Sequence, residues 1–386
     1  MGFSFEDHSY NKLLNKAGIS DKGIKGRFAM LLIPFSICWL PLAVMTIING
    51  TFWTGDVTTS FITNFDTQVR FLITMPIFIL SEKLIRSKLG IILNQFINSG
   101  IIIKEEKVQF ESIINKQSDF LKSKWTAFVV FLICYLQVFA VLFYERSNTS
   151  FLSWQLVSDA GEPALNLVGK WSTLISRPFL LFLFYKWVLT IIVWGNILRK
   201  ISNLNLNLYP EHPDLSGGLG YLGYAIRYFS FFFFAISAAV AGNMADFMLI
   251  EGLHLTELKL PALGYFIGVT LLFTIPMLFF TAKMIEARET SVFENYDFAN
   301  GMYRELRIKI KKGYDQVTKQ DLDSSIYSSV SDYNAVVENV LKMKFVPFTI
   351  KDMIPLWVST ALPFLAVALL EIPFAQIYKK FVQIVV

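Results

Sequence analysis

The stretch Tyr228-Phe-Ser-Phe-Phe-Phe-Phe-Ala-Ile-Ser-Ala-Ala-Val-Ala-Gly-Asn-Met-Ala-Asp-Phe-Met-Leu-Ile250 contains one charge, Asp246. Coiled as a helix, a run of this length spans the roughly 30 Å of hydrocarbon in a bilayer. Lipid offers no partner for a bare amide, and a helix satisfies its own. The run therefore predicts a transmembrane helix. Comparable stretches lie at about 28–48, 69–85, 125–144, 174–198 and 261–281. A further one, within 355–386, either spans as a seventh helix or re-enters the side it came from, because it meets Glu371 and Pro373 after a short apolar run. The expected fold is all-α: a polytopic transmembrane helix bundle of 6–7 spans with a small helical cytoplasmic domain.

The whole composition agrees. Of 386 residues, 54% are apolar and 17% charged, and the mean hydropathy is +0.49. Soluble domains carry about 25% charged residues. Cys38 and Cys134 both lie in apolar runs, so neither a disulfide framework nor a thiolate metal site is implied. His8, His212 and His254 are far apart, and no metal or cofactor is expected. The first apolar run is too long for the core of a signal peptide and reads as a retained span.

Charge sets the orientation. With the N-terminus inside, 27 of the 35 Lys and Arg residues fall on the inner side, as the positive-inside rule requires. The net charge of +5 then reflects topology before it reflects any polyanionic partner. This places the chain in the inner (plasma) membrane with a cytoplasmic arm over 1–27, a bundle over 28–283 with a cytoplasmic helical insert at 87–122 broken at Gly100, and a cytoplasmic helical domain over 284–351. No internal repeat is visible by eye, and the second stretch is short and interrupted by Pro76.

Four groups of residues are candidates for function. Lys186 sits deep in the fourth span. An unpaired charge there costs at least about 2.5 kcal/mol. It predicts either an ion pair between the fourth and fifth spans, with Asp246 or Glu251, or an anion-attracting pore position with Arg177 at the outer mouth. Phe231 and Phe234 are either lipid-facing bulk or a hydrophobic constriction that gates by dewetting, while Ser237, Ala238, Ala239, Ala241 and Gly242 let helices approach closely. The segment Arg304-Glu-Leu-Arg-Ile-Lys-Ile-Lys-Lys312 presents Arg304, Arg307, Lys309, Lys311 and Lys312 to anionic lipid or to a nucleotide or oligonucleotide.

The fourth group is the loop from Pro210 to Gly223. Gly218, Gly220 and Gly223 match G-x-G-x-x-G, but no strand precedes them and a span follows, so the dinucleotide reading is rejected. Two readings remain. In one, Asp214 and Ser216 cap the following helix; in the other, His212, Asp214, Gly218 and Gly220 form a ligand or coupling site at a helix N-terminus.

The block His212-Pro-Asp-Leu-Ser-Gly-Gly-Leu-Gly220 resembles a loop in a family of uncharacterised bacterial multi-pass membrane proteins. That resemblance covers under a tenth of the chain and implies membrane placement without an activity. The layout is similar to the membrane effectors of anti-phage defence systems of the Hailong type, which implies a pore gated by a nucleotide or oligonucleotide.

Walker loops, zinc-protease motifs and nucleophile–base pairs at one membrane depth are missing, so an enzyme is not expected. The leading expectation is a subunit of an oligomeric, signal-gated ion channel or pore-forming effector. Its partners would be membrane lipid, copies of itself, a nucleotide or oligonucleotide signal, and an operon-encoded protein. A secondary transporter and a non-transporting scaffold are the alternatives.

Overall fold

The computed structural model describes residues 24–148, 154–159, 162–311 and 326–371. It is 81% helical, with one short hairpin as its only sheet among the described residues. The protein is a multi-pass membrane protein: six helical segments are long and apolar enough to cross a bilayer, namely Met30–Ile48, Lys124–Phe143, Leu167–Ser202, Gly220–Ile250, Leu255–Leu278 and Ile350–Glu371.

The helices run in order α1 (Ile24–Cys38), α2 (Leu40–Ile48), α3 (Phe65–Val69), α4 (Met75–Asn98), α5 (Lys107–Lys122) and α6 (Lys124–Asn148). A hairpin of β1 (Leu156–Asp159) and β2 (Glu162–Leu165) follows. Then come α7 (Leu167–Trp171), α8 (Arg177–Ser202), α9 (Gly223–Ile250), α10 (Leu255–Leu278), α11 (Thr281–Lys311), α12 (Ile326–Lys342) and α13 (Ile350–Glu371).

The second predicted span is not among the six. Its helix carries Glu82, Lys83, Arg86 and Lys88, which is too much charge for a lipid-facing span. It survives inside the bundle because one face is buried: Met75, Phe78, Ile85, Leu89, Leu93 and Phe96 are all core residues. α4 also runs on to Asn98, so the predicted insert at 87–122 begins as the tail of this helix. The turn comes at Gly100, as expected, with φ +73° in the region that favours glycine. The insert shares one continuous core with the bundle, since Phe110 and Ile114 of α5 join Trp194, Ile197 and Phe280.

α13 is a continuous helix alongside α9, running in the same direction. Arg227 and Asp352 meet near both helix starts, and Val367 packs with Ala241 and Met244 near both ends. At that far end the Leu255 amide of α10 donates to the Glu371 carboxylate at 2.7 Å. No reversal of the chain occurs within 350–371. The N-terminal arm before residue 24 and the tail after residue 371 lie outside the described residues.

Prolines shape the first span. Pro41 has no N–H for the carbonyl of Ile37, four residues back. The indole Nε1 of Trp171 donates to that carbonyl at 3.0 Å. The hydroxyl of Ser176 donates to the Cys38 carbonyl at 2.8 Å. Neighbouring side chains thus satisfy acceptors at the interruption between α1 and α2, as a break in the membrane requires.

Candidate functional site

The helices α4 and α8 begin in the same unusual way. Asn64 and Asn166 each open a single turn, accepting with Oδ1 from the amide three residues on, Thr67 at 3.1 Å and Gly169 at 2.8 Å. A π-helical segment follows each turn, Arg70–Thr74 and Ser172–Ser176. The next helix then has proline as its second residue, Pro76 and Pro178. A proline ring crowds the carbonyl four residues back and cannot bond to it. Widening the turn re-registers the ladder, so Met75 donates to Arg70 and Arg177 to Ser172. The paired helix starts match residue for residue in spacing. Aligned in this register they share Asn64 with Asn166, Leu72-Ile73 with Leu174-Ile175 and Pro76 with Pro178, a match too sparse to stand out by eye.

The two bulges face one cavity of about 510 Å³, at the end of the bundle away from the Gly-rich loop. α6 and α9 complete its wall. Its polar lining includes Asp66, Arg70, Arg177, Gln137, Ser172 and Asn243, and its apolar lining includes Phe71, Phe78, Leu180 and Phe184. Arg70 Nε lies 2.7 Å from Asp66 Oδ1. Arg177 donates from Nη2 to Gln155 Oε1 at 3.2 Å and also acts electrostatically on Asp66. Interrupted helices of this kind mark functional sites in soluble and membrane proteins alike.

Beneath the aromatic floor of the cavity lies an ionic group. Lys186 Nζ is 3.3 Å from Glu82 Oε1, and Arg86 Nη2 is 3.0 Å from the same oxygen. This corrects the expected pairing of Lys186 with Asp246 or Glu251. α8 meets α4 at this depth, and Glu82 sits one turn below Phe78. Glu251 is exposed at the end of α9. Asp246 instead accepts from Asn64 Nδ2 at 2.8 Å, Phe65 N at 2.8 Å and Asp66 N at 3.0 Å, holding α9 to the start of α3. Gly242 permits this approach, for a Cβ there would stand 3.2 Å from the Phe65 carbonyl oxygen.

Of the two readings of the phenylalanine run, lipid-facing bulk fits the structure and the inner constriction at Phe231 and Phe234 does not. Helical spacing puts Phe231 and Phe234 on one face, and that face looks outward: Phe231 is 53% exposed and Phe234 half-buried. The rings filling the interior are Phe232 and Phe233, with Phe232 stacked on Phe78 and Trp187.

The Gly-rich loop is a joint. Asp214 accepts from the amides of Ser216 at 2.8 Å, Gly218 at 3.2 Å and Gly220 at 2.9 Å. An anion at the helix N-terminus would need those donors, and the chain's own carboxylate occupies them. His212 accepts at Nδ1 from the Asp214 amide at 3.2 Å. The expected cap from Ser216 is not formed; its hydroxyl donates to the Asp214 carbonyl. Glu211 reaches α11, accepting from Ser291 at 2.5 Å and Asn295 at 2.9 Å, while its carbonyl accepts from Asn339 of α12 at 3.1 Å. Burial pushes the Glu211 carboxyl up, but the two side-chain donors and a backbone hydrogen bond together outweigh it and leave it below the usual value. The Lys344 amide donates to Leu215 O at 2.8 Å.

Arg304, Arg307 and Lys311 are exposed on α11. Lys309 lies on the same helix, and Lys312 falls outside the described residues. Among the described residues no cluster of His, Cys, Asp or Glu has metal-binding geometry. Sequence reasoning misses Glu82, Arg86, Arg70 and Asp66 as a set. No family model matches the chain, and neither a curated protein nor a solved structure is significantly similar to it.

Proposed function

We propose that the chain is a membrane transport protein that carries a small solute through the interior of a single protomer, between α4 and α8. One observation carries the reading: both π-bulged, proline-bearing helix starts line the same cavity, directly above the Glu82–Arg86–Lys186 group. Broken helices at a repeat interface build binding sites in secondary transporters. Charge held inside a membrane bundle marks ion and substrate pathways. Phe78, Trp187 and Phe232 close the interior below the cavity, which suits access from one side at a time. The loop-rich, basic end would face the cytoplasm, with the N-terminus inside the plasma membrane. This reading assigns no catalytic step.

A second reading is the oligomeric channel gated by a nucleotide or oligonucleotide at its polar helices. One observation favours it: the Gly-rich loop that joins α8 to α9 is hydrogen-bonded to α11 and α12 through Glu211, so movement of those helices would reach the cavity wall. Reconstitution separates the two. A carrier gives saturable solute uptake into proteoliposomes without discrete current steps. Unitary conductance in a planar bilayer would replace the carrier reading with the channel.

A further inference from the structure

The cavity between the two bulges is amphipathic in a directional way. Arg70 and Arg177 stand at its polar side, each contributed by one of the paired helix starts. Phe71, Phe78 and Phe184 line its apolar part. Its volume, about 510 Å³, is in the range of small-molecule sites. Within the lining two guanidinium groups face one carboxylate, Asp66, which is already drawn to Arg70 at 2.7 Å. Guanidinium is the group best suited to a planar carboxylate or a phosphate, which it grips with two parallel bonds.

We infer that this cavity binds a small amphipathic anion, its charged head between Arg70 and Arg177 and its hydrocarbon body against Phe71, Phe78 and Phe184. Asp66 is the internal counter-ion that the ligand head competes with. The inference rests on the transport reading for its purpose, because it names what is carried, but binding is measurable without transport. An anionic head with an apolar body describes both a free organic acid and an anionic lipid. The chemistry is shared, and competition between the two identifies the source.

The test uses the full chain in nanodiscs of phosphatidylcholine, with phenylbutyrate as probe and phenylbutanol and phenylbutylamine as controls of the same shape. Phenylbutyrate should bind at least about tenfold more tightly than either control, the worth of one or two charge-assisted hydrogen bonds. Arg70→Gln and Arg177→Gln should each weaken it by about tenfold. Asp66→Asn should tighten it, a sign that loss of structure would not produce. Ala239→Trp fills the cavity without touching a charge and should abolish binding, which keeps the test alive if an arginine variant fails to fold. Loss of phenylbutyrate binding when phosphatidylglycerol is added to the discs identifies a lipid head as the natural occupant. Persistence identifies a free acid, and either result supports the chemistry. Equal affinity for phenylbutyrate and phenylbutanol, or binding unchanged in Ala239→Trp, overturns the inference. Selective binding without uptake would sink the transport reading alone. Uptake of solutes with no preference for anions would sink this inference alone.

Discussion

Lys186 on α8 holds its ammonium 3.3 Å from the carboxylate of Glu82 on α4, and Arg86 shares the same oxygen at 3.0 Å. Both side chains of the Lys186–Glu82 pair are about four-fifths buried, and Arg86 is more so. Three charges therefore sit inside the bundle, on two helices that lie far apart in sequence.

Removing the carboxylate alone should be costly. Breaking one partner of a buried ion pair destabilises by about 3 kcal/mol, while replacing both by apolar groups of similar volume is close to neutral. Glu82→Gln is expected to lower the thermal unfolding midpoint in detergent clearly. Glu82→Met combined with Lys186→Met and Arg86→Met, which replaces all three charges, should recover much of the loss. A triple variant no more stable than the single one would count against a buried charge left without its counter-ion as the source of the loss.

Gly223 opens α9 against α13, and a Cβ there would lie 2.5 Å from the Asp352 carboxylate, which in turn accepts from Arg227 Nη2 at 2.6 Å. Gly223→Ala should cost about 1–3 kcal/mol through overpacking. Gly264 on α10 has nothing within 4 Å of its Cβ position, so Gly264→Ala should be neutral or gain about 1 kcal/mol from helix propensity. Comparing their unfolding midpoints tests the contact; indistinguishable variants would refute it.

Glu211 gives the joint a pH dependence. Its carboxyl lies below the ordinary value because Ser291 and Asn295 donate to the charged form against the opposing effect of burial. A group depressed on folding contributes stability above its unfolded pKa and loses it as pH falls through the folded one. Protection against hydrogen exchange in 284–311 and 326–342, taken relative to the intrinsic rate at each pH, should therefore fall as pH drops through and below the ordinary glutamate range in the parent chain, and Glu211→Gln should show reduced protection already at neutral pH. Equal protection of the two proteins at pH 7 would count against the joint.

Sidedness can be read chemically. Cys38 and Cys134 are both buried. In a background with both replaced by serine, an impermeant maleimide should label Asp56→Cys on intact cells and Lys107→Cys only after permeabilisation. The reverse pattern inverts the proposed topology.

Much of this architecture is legible in the sequence because lipid imposes a length and an apolarity that show directly in the residues. The break at Gly100 is legible for the same kind of reason, since a backbone needing positive φ favours one residue type. The partners are not legible. Hydropathy locates Lys186 at depth but cannot say that α4, with its polar residues, is the helix beside it. Phe231 and Phe232 look alike in a run of four, and only the rotation of α9 sends one outward and the other into the core. The paired helix starts escape notice because their four shared residues, Asn, Leu, Ile and Pro, are scattered among unlike neighbours, while the backbone geometry is matched throughout. Asp214 is legible as a cap, yet the amides it holds are also what make the loop look like a ligand site.

The bonds from Trp171 to Ile37 O and from Ser176 to Cys38 O carry a consequence for biogenesis. The donors are synthesised more than a hundred residues after the acceptors. The N-terminal span must therefore insert into lipid with an open acceptor at Ile37, and it stays incomplete until the fourth span arrives beside it. Ribosomes that stall between the two would leave a half-made protein whose first helix needs water, a chaperone or the insertion machinery at its break.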